Sequence, residues 1–383
     1  MRKFRTFLFF LLILTVMVII PILTVNSATF FQLHQVESPE QQVQDRLATE
    51  SWLAVMKEGV PLPANKAPAA ATKTVLGYYV EYGETDRASY QALASFGSML
   101  TDVAMVIYNA APDGSLQGKP SPPGLEAARA KRLHTYLVVT NHGEKLFDRN
   151  LAHTLLTDKT VSLRLRQNLL SKAKELSATG INLDIENVPA GDRDAYAAFV
   201  ANLADDLHRA GKKLIVSVPA KTADNPADSW SYGCDYAKIG AKSDYVQIMT
   251  YDEHGPWSEV GPVASYPWVE SVVRYATKVI PPEKVLLGVG FYGYEWSSAG
   301  NRALPSKAIP ELIAQYHATV KWDDKAKSPT LTYVKDGVTR TVWYEDERSL
   351  RAKRELAEAY HLGGYGVWRL GFEDQSFWNA LVR

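Results

Sequence analysis

Residues 180–187 read Gly180-Ile181-Asn182-Leu183-Asp184-Ile185-Glu186-Asn187, an alternation of aliphatic and polar side chains. Period two is the signature of a strand, so Asn182, Asp184 and Glu186 share one face and Ile181, Leu183 and Ile185 the other. The aliphatic face suits packing under helices. The polar face then points into a barrel, with Glu186 at the C-terminal end, where barrel enzymes hold their chemistry. Carboxylates at i and i+2 stand about 7 Å apart along a strand. Like charges held close and desolvated do not both ionise easily, so a proton stays available near neutral pH, which is what a general acid needs. The bland alternative is a buried polar ladder satisfied by hydrogen bonds. It would bury three polar groups with no cationic partner evident in the sequence.

Outward from this strand, β-branched and aromatic runs alternate with helical patterns. The strands expected are Thr74–Val80, Asp102–Tyr108, Leu133–Thr140, Gly180–Glu186, Lys213–Val218, Asp244–Tyr251, Lys284–Gly290 and Gly363–Trp368, eight in all. Amphipathic stretches lie between them. Val161–Ala178 places Leu165, Leu169, Ala173 and Leu176 on one face, and Asp192–Ala210 does the same with Tyr196, Phe199, Leu203 and Leu207. Strands alternating with helices imply right-handed βαβ units and a parallel sheet, and eight units close into a (β/α)8 TIM barrel. The last two strands are about 75 residues apart, far more than one helix requires. The excess, roughly 296–345, carries its own hairpin signal: 330–334, a Lys335-Asp336-Gly337 turn, then 338–344. The expected fold is therefore an α/β TIM barrel with a small α+β insertion between strands 7 and 8. A doubly wound open sheet is the other candidate, but no Gly-rich phosphate fingerprint follows the first strand.

Composition narrows the function classes. The 383 residues are 46% hydrophobic and carry 42 Lys+Arg against 42 Asp+Glu, so the formal net charge is zero. A neutral balance argues against nucleic acid as the main partner. The single cysteine, Cys234, excludes an intramolecular disulfide and a Cys-rich metal site. Nine Trp and 20 Tyr supply flat amphipathic faces that suit sugars and cores alike.

The N-terminus reads as an export segment. Arg2, Lys3 and Arg5 precede an uncharged apolar run at 7–25, so residues 1–28 are expected to be a signal peptide or a signal anchor. Either places the body outside the cytoplasm, membrane-anchored or secreted to the wall. Residues 29–72, with the Pro/Ala-rich run 61–74 at their end, read as a stalk or linker, leaving 73–383 as the catalytic barrel. A monomer is expected.

The wording GINLDIENV, MTYDEHG, GPVAS and GVWRLGFED, in that order, resembles glycoside hydrolase family 18, most closely its bacterial spore-cortex and wall-active members. The resemblance spans nearly all of 74–383. It implies a retaining glycosidase that uses the substrate's 2-acetamido oxygen, rather than an enzymic carboxylate, as nucleophile. Glu186 then matches the acid/base, and Asp184 the carboxylate that orients the acetamido N–H and balances the oxazolinium charge. Tyr251 matches the hydroxyl donor to the acetamido oxygen. Asn182 stands where many chitinases have Asp, and Thr179 replaces the outermost Asp of the longer pattern. An altered pH profile follows, rather than loss of activity.

Around this centre, Gln247, Met249 and Tyr251 are expected to alternate inward on the sixth strand, with Asp252 following at the mouth. Glu253 and His254 are expected to shape the loop, His254 not as a metal ligand. Gly364, Gly366 and Trp368 share parity on the eighth strand. Two missing side chains there would leave room beneath an indole that floors a sugar site. Tyr79 on the first strand is expected to line the same pocket, with Tyr78 as the alternative because parity near Gly77 is undecided. Glu373 and Asp374 read as surface or capping groups. No metal and no cofactor are implied. The expected function is hydrolysis of β-1,4 bonds after N-acetylglucosamine in peptidoglycan, spore cortex or chitin. The alternatives are a non-catalytic carbohydrate-binding protein of the envelope and a wall-tethering spacer.

Overall fold

The computed structural model describes residues 73–382 except 84, 145 and 146, so the expected export segment and stalk lie outside the described residues. The chain opens with β1 (Thr74–Tyr79), α1 (Ala88–Phe96), β2 (Asp102–Ala110), the short β3 (Leu116–Gln117), α2 (Pro122–Ala130) and β4 (His134–Thr140). It continues with α3 (Arg149–Thr157), α4 (Lys159–Glu175), β5 (Gly180–Asp184), α5 (Arg193–Arg209), β6 (Lys213–Pro219), α6 (Tyr236–Lys242), β7 (Tyr245–Met249), α7 (Tyr266–Val279) and β8 (Val285–Gly290). Then come β9 (Tyr292–Trp296), β10 (Arg302–Pro305), α8 (Ile309–Tyr316), β11 (Thr319–Asp323), β12 (Ser328–Lys335) and β13 (Val338–Tyr344). The last elements are α9 (Glu347–Ala359), β14 (Gly364–Trp368) and α10 (Gln375–Val382).

Strands β1, β2, β4, β5, β6, β7, β8 and β14 pair in parallel, and β1 bonds both β2 and β14, which closes the sheet into the (β/α)8 barrel. The other five strands form a separate antiparallel sheet in the order β10-β9-β13-β12-β11. That sheet begins at Tyr292, directly after β8, ahead of the expected boundary at 296. Its β12–β13 hairpin closes between Lys335 and Val338, with Asp336 at φ 53° and Gly337 at φ 74°. Two left-handed residues make a type I′ turn, whose twist matches that of the strands.

Local sequence explains the helix ends. Ser121 caps α2 ahead of a proline at its first position. Asp148 caps α3, and Asp158 caps α4 by accepting from the N–H of Thr160 and Val161. On α5, Tyr196, Phe199, Leu203 and Leu207 are all buried as the spacing requires. On α4, Leu165, Leu169 and Ala173 are buried, while the helix ends before the expected 178 and Leu176, its C-cap, stays partly exposed. The aliphatic faces of the strands join these helices in one core, while Leu76, Tyr78, Ala104, Tyr136, Val138, Ile215 and Leu286 fill the barrel lumen. The lumen is packed rather than open, so chemistry is confined to its C-terminal mouth.

Candidate active site

Ile181 and Leu183 are buried among the helices, and Asn182 is buried in the lumen. Asn182 donates to Ser217 Oγ at 3.0 Å, Ser217 lies 2.9 Å from the Tyr78 hydroxyl, and Tyr78 donates to Gln247 Oε1 at 3.3 Å. This neutral relay lies directly below the carboxylates and gives every member a partner. Gly366 is required here because a Cβ would stand 2.6 Å from Cγ of Gln247. The space vacated by Gly366 thus belongs to Gln247, and that at Gly364 is blocked by the Thr74 carbonyl; neither opens a hollow beneath Trp368. The indole instead packs on Tyr78, ring centroids 5.5 Å apart. Thr179 sits at the base of the strand, where its hydroxyl accepts from the Thr135 N–H.

Tyr79 does not line the site. Its side chain points outward beneath the helices, donates to Glu81 and presses on Gly124 of α2, so Tyr78 is the inward residue of β1. Regular hydrogen bonding of β5 stops at Asp184, and Glu186 follows in the loop, with Asn187 at φ 54°. The buried amide of Asn141, just beyond β4, substitutes for the missing ladder. Its Oδ1 accepts from the Glu186 N–H at 2.9 Å, and its Nδ2 donates to the Glu186 carbonyl at 3.0 Å and to the Asp148 carbonyl at 3.0 Å.

Burial pushes both carboxyls upward, and the charges of Asp184 and Asp252 push Glu186 further. The pair therefore holds a proton at neutral pH. One oxygen of Asp184, Oδ1, is enclosed with no hydrogen-bond donor. Tyr251 and Asp252 lie beyond the end of β7, where Met249 is half-buried. Burial and the nearby Asp184, Asp252 and Glu186 keep the Tyr251 hydroxyl neutral. Asp252, at φ 63°, accepts on Oδ1 from the hydroxyls of Tyr292 at 2.5 Å and Tyr294 at 2.6 Å. A buried acid, a second carboxylate with an unmatched acceptor, and a neutral phenol thus converge at the barrel mouth. That arrangement can protonate a leaving group and steady a developing positive charge.

Residues 74–373 match the profile of the glycosyl hydrolases family 18. The chain belongs to family 18. It is similar to the uncharacterized glycosylase YvbX of Bacillus subtilis, 36% identical over 80% of this chain and 90% of that protein. A chitinase from Chromobacterium violaceum superposes with a TM-score of 0.76 at 36% identity, covering 81% of this chain and 98% of that one. The spore cortex-lytic enzyme SleL of Bacillus cereus gives 0.75 at 27% identity, covering 81% and 73%. The chain is thus a family 18 glycosidase, related to chitinases and cortex-lytic enzymes.

Several residues of this family 18 site had no clear mark in the sequence. Asn141, Ser217, Tyr292 and Tyr294 act through contacts between distant strands; the one available sign was their position at or near the C-terminal ends of barrel strands. Glu253 ties its loop to α7 through the Ser265 N–H and hydroxyl, and His254 Nδ1 lies 3.1 Å from the Pro262 carbonyl. Asp374 caps α10 through Ser376, whereas Glu373 is not a surface group. It is buried, bonded to the Gly371 N–H, and its other oxygen is unpartnered. Exposed aromatic side chains stand on the loops after β1, β6 and β7, namely Tyr82, Trp230 and Trp257.

Proposed function

We propose that the protein is a retaining glycosidase that cuts β-1,4 bonds after N-acetylglucosamine in peptidoglycan, spore cortex or chitin by substrate-assisted catalysis. The observation that carries this reading is the unmatched, enclosed Oδ1 of Asp184 beside the protonated Glu186. A buried acceptor without a donor is costly, and an acetamido N–H arriving through the cleft supplies that donor. In this mechanism Glu186 gives its proton to the glycosidic oxygen as the C–O bond breaks. The acetamido oxygen bonds to the anomeric carbon, and Asp184 balances the positive charge of the ring so formed. Tyr251 donates to the same acetamido oxygen, and Trp368 with Asp252 holds the sugar. Deprotonated Glu186 then takes a proton from water as water opens the ring with retention. No metal or cofactor takes part in this scheme. Asn182 and Gln247 act from below by holding the neutral layer on which Asp184 rests. Action on a wall polymer accords with an exported protein.

The test incubates the full chain separately with peptidoglycan, spore cortex and chitin oligomers, with Glu186→Gln alongside, and identifies products by mass spectrometry. The variant is expected to lose hydrolysis and keep glycan binding. Fragments ending in reducing N-acetylglucosamine from wall polymers would assign a glucosaminidase, and cleavage of chitin oligomers alone a chitinase. Equal rates for parent and variant would overturn the assignment of the acid.

A further inference from the structure

The five-stranded insertion reaches the catalytic groups through its first strand, where Tyr292 also packs edge-on against Tyr251. Its first strand leaves the barrel immediately after β8, and the alternating Tyr292 and Tyr294 both direct their hydroxyls to Oδ1 of Asp252. Among the described residues no ion pair reaches Asp252, and its hydrogen-bond donors are the two neutral phenols. The backbone at Asp252 is left-handed, a conformation that aspartate adopts at a cost unless its surroundings hold it there. Two phenol donors on one carboxylate oxygen supply that restraint.

We propose that Tyr292 and Tyr294 are positioning residues of the glycosidase reaction: they fix the Asp252 carboxylate, ionised, beside Glu186, and so govern how firmly the acid keeps its proton. The proposal rests on the reading of Glu186 as the acid. The groups that act on Glu186 are Asp184 from the end of β5, Asp252 and Tyr251 from beyond β7, Tyr78 from β1, Tyr196 from α5, and Cys234 from the loop before α6. Burial holds the three tyrosines and the cysteine neutral, leaving Asp184 and Asp252 as the variable charges. Hydrogen bonds from Tyr292 and Tyr294 favour ionised Asp252 against the burial that opposes it. Ionised Asp252 in turn repels the anionic form of Glu186. Removing the two hydroxyls makes Asp252 harder to ionise, relieves that repulsion, and lets Glu186 lose its proton at lower pH.

The test compares the parent, Tyr294→Phe, Tyr292→Phe/Tyr294→Phe and Asp252→Asn as full chains. Two readouts are used: the pH profile of kcat, and a direct titration of the side-chain carboxyls by carbon-13 NMR. The expected result is a basic limb displaced to lower pH, by one substitution less than by two. Asp252→Asn should displace it in the same direction, and adding the two phenylalanines to that variant should move it no further. A limb that stays in place in the double phenylalanine variant while Asp252→Asn moves it would overturn the role of the tyrosines. A limb unmoved by Asp252→Asn would overturn the whole coupling. If no glycan is cleaved, the reading of function fails, and the carboxyl titration of Glu186 still decides the coupling on its own.

Discussion

Asn141 is the residue whose loss should separate catalysis from binding most cleanly. Its amide holds the N–H and the carbonyl of Glu186 from a neighbouring strand, where β5 no longer does so. Asn141→Leu keeps the bulk but strands two buried backbone groups, the N–H and the carbonyl of Glu186, each costing on the order of 1–3 kcal/mol if it finds no water. We expect a lower melting temperature together with a kcat reduced by about tenfold or more, the change that a displacement of about 1 Å in a reacting group can bring. KM should move much less. A variant that melts early but turns over at the parental rate would show the clamp to be structural alone. Glu186 and Asp184 were legible in the sequence because alternation puts them on one face. Asn141 was not, because nothing in its own neighbourhood states which strand it will meet. The choice between Tyr78 and Tyr79 failed for a related reason: parity is certain only where a strand's two faces differ in polarity, and around Gly77 they do not.

At the scale of elements, Asp158 does two things at one position. Its backbone N–H closes α3 on the Thr154 carbonyl while its side chain caps α4. Asp158→Ala should therefore cost about 1 kcal/mol of stability. Denaturant unfolding should register this, and activity should stay at the parental level because the cap lies outside the site. The eight barrel strands were readable from composition and spacing, and so was the β12–β13 hairpin, whose Asp-Gly turn admits little else. Strand ends were not. β5 stops at Asp184 although its alternation runs on to Glu186, since side-chain pattern records which face a residue takes and not whether its backbone still bonds a neighbour. The insertion's early start has the same origin. Tyr292, Gly293, Tyr294 and Glu295 continue the texture of β8, so no break in the sequence marks where the barrel is left.

At the scale of the whole molecule, three enclosed carboxyls, Glu373, Asp184 and Glu186, make their contributions to stability depend on pH in an unusual direction, opposite to that of the arginine-paired Glu295. Burial pushes Glu373 up to about 7. Its folded value thus lies above the ~4.3 of an unfolded glutamate, so the contribution it makes in acid is lost as pH climbs from about 4 to about 7. Asp184 and Glu186 act with the same sign. Glu373→Gln keeps an acceptor for the Gly371 N–H and removes the titration, so urea unfolding at pH 8 should find the variant the more stable. The difference should be about 4 kcal/mol at most and should shrink towards pH 4.

Barrel closure has a further consequence, for timing. Asp184 and Glu186 lie before residue 187, yet Trp368, the sugar floor of the proposed site, stands on β14, which pairs with β1 at the start of the barrel. A polypeptide made from its N-terminus therefore carries its acid long before it possesses a site. Until the last strand emerges and docks between β1 and β8, the barrel stays open and the proposed site incomplete.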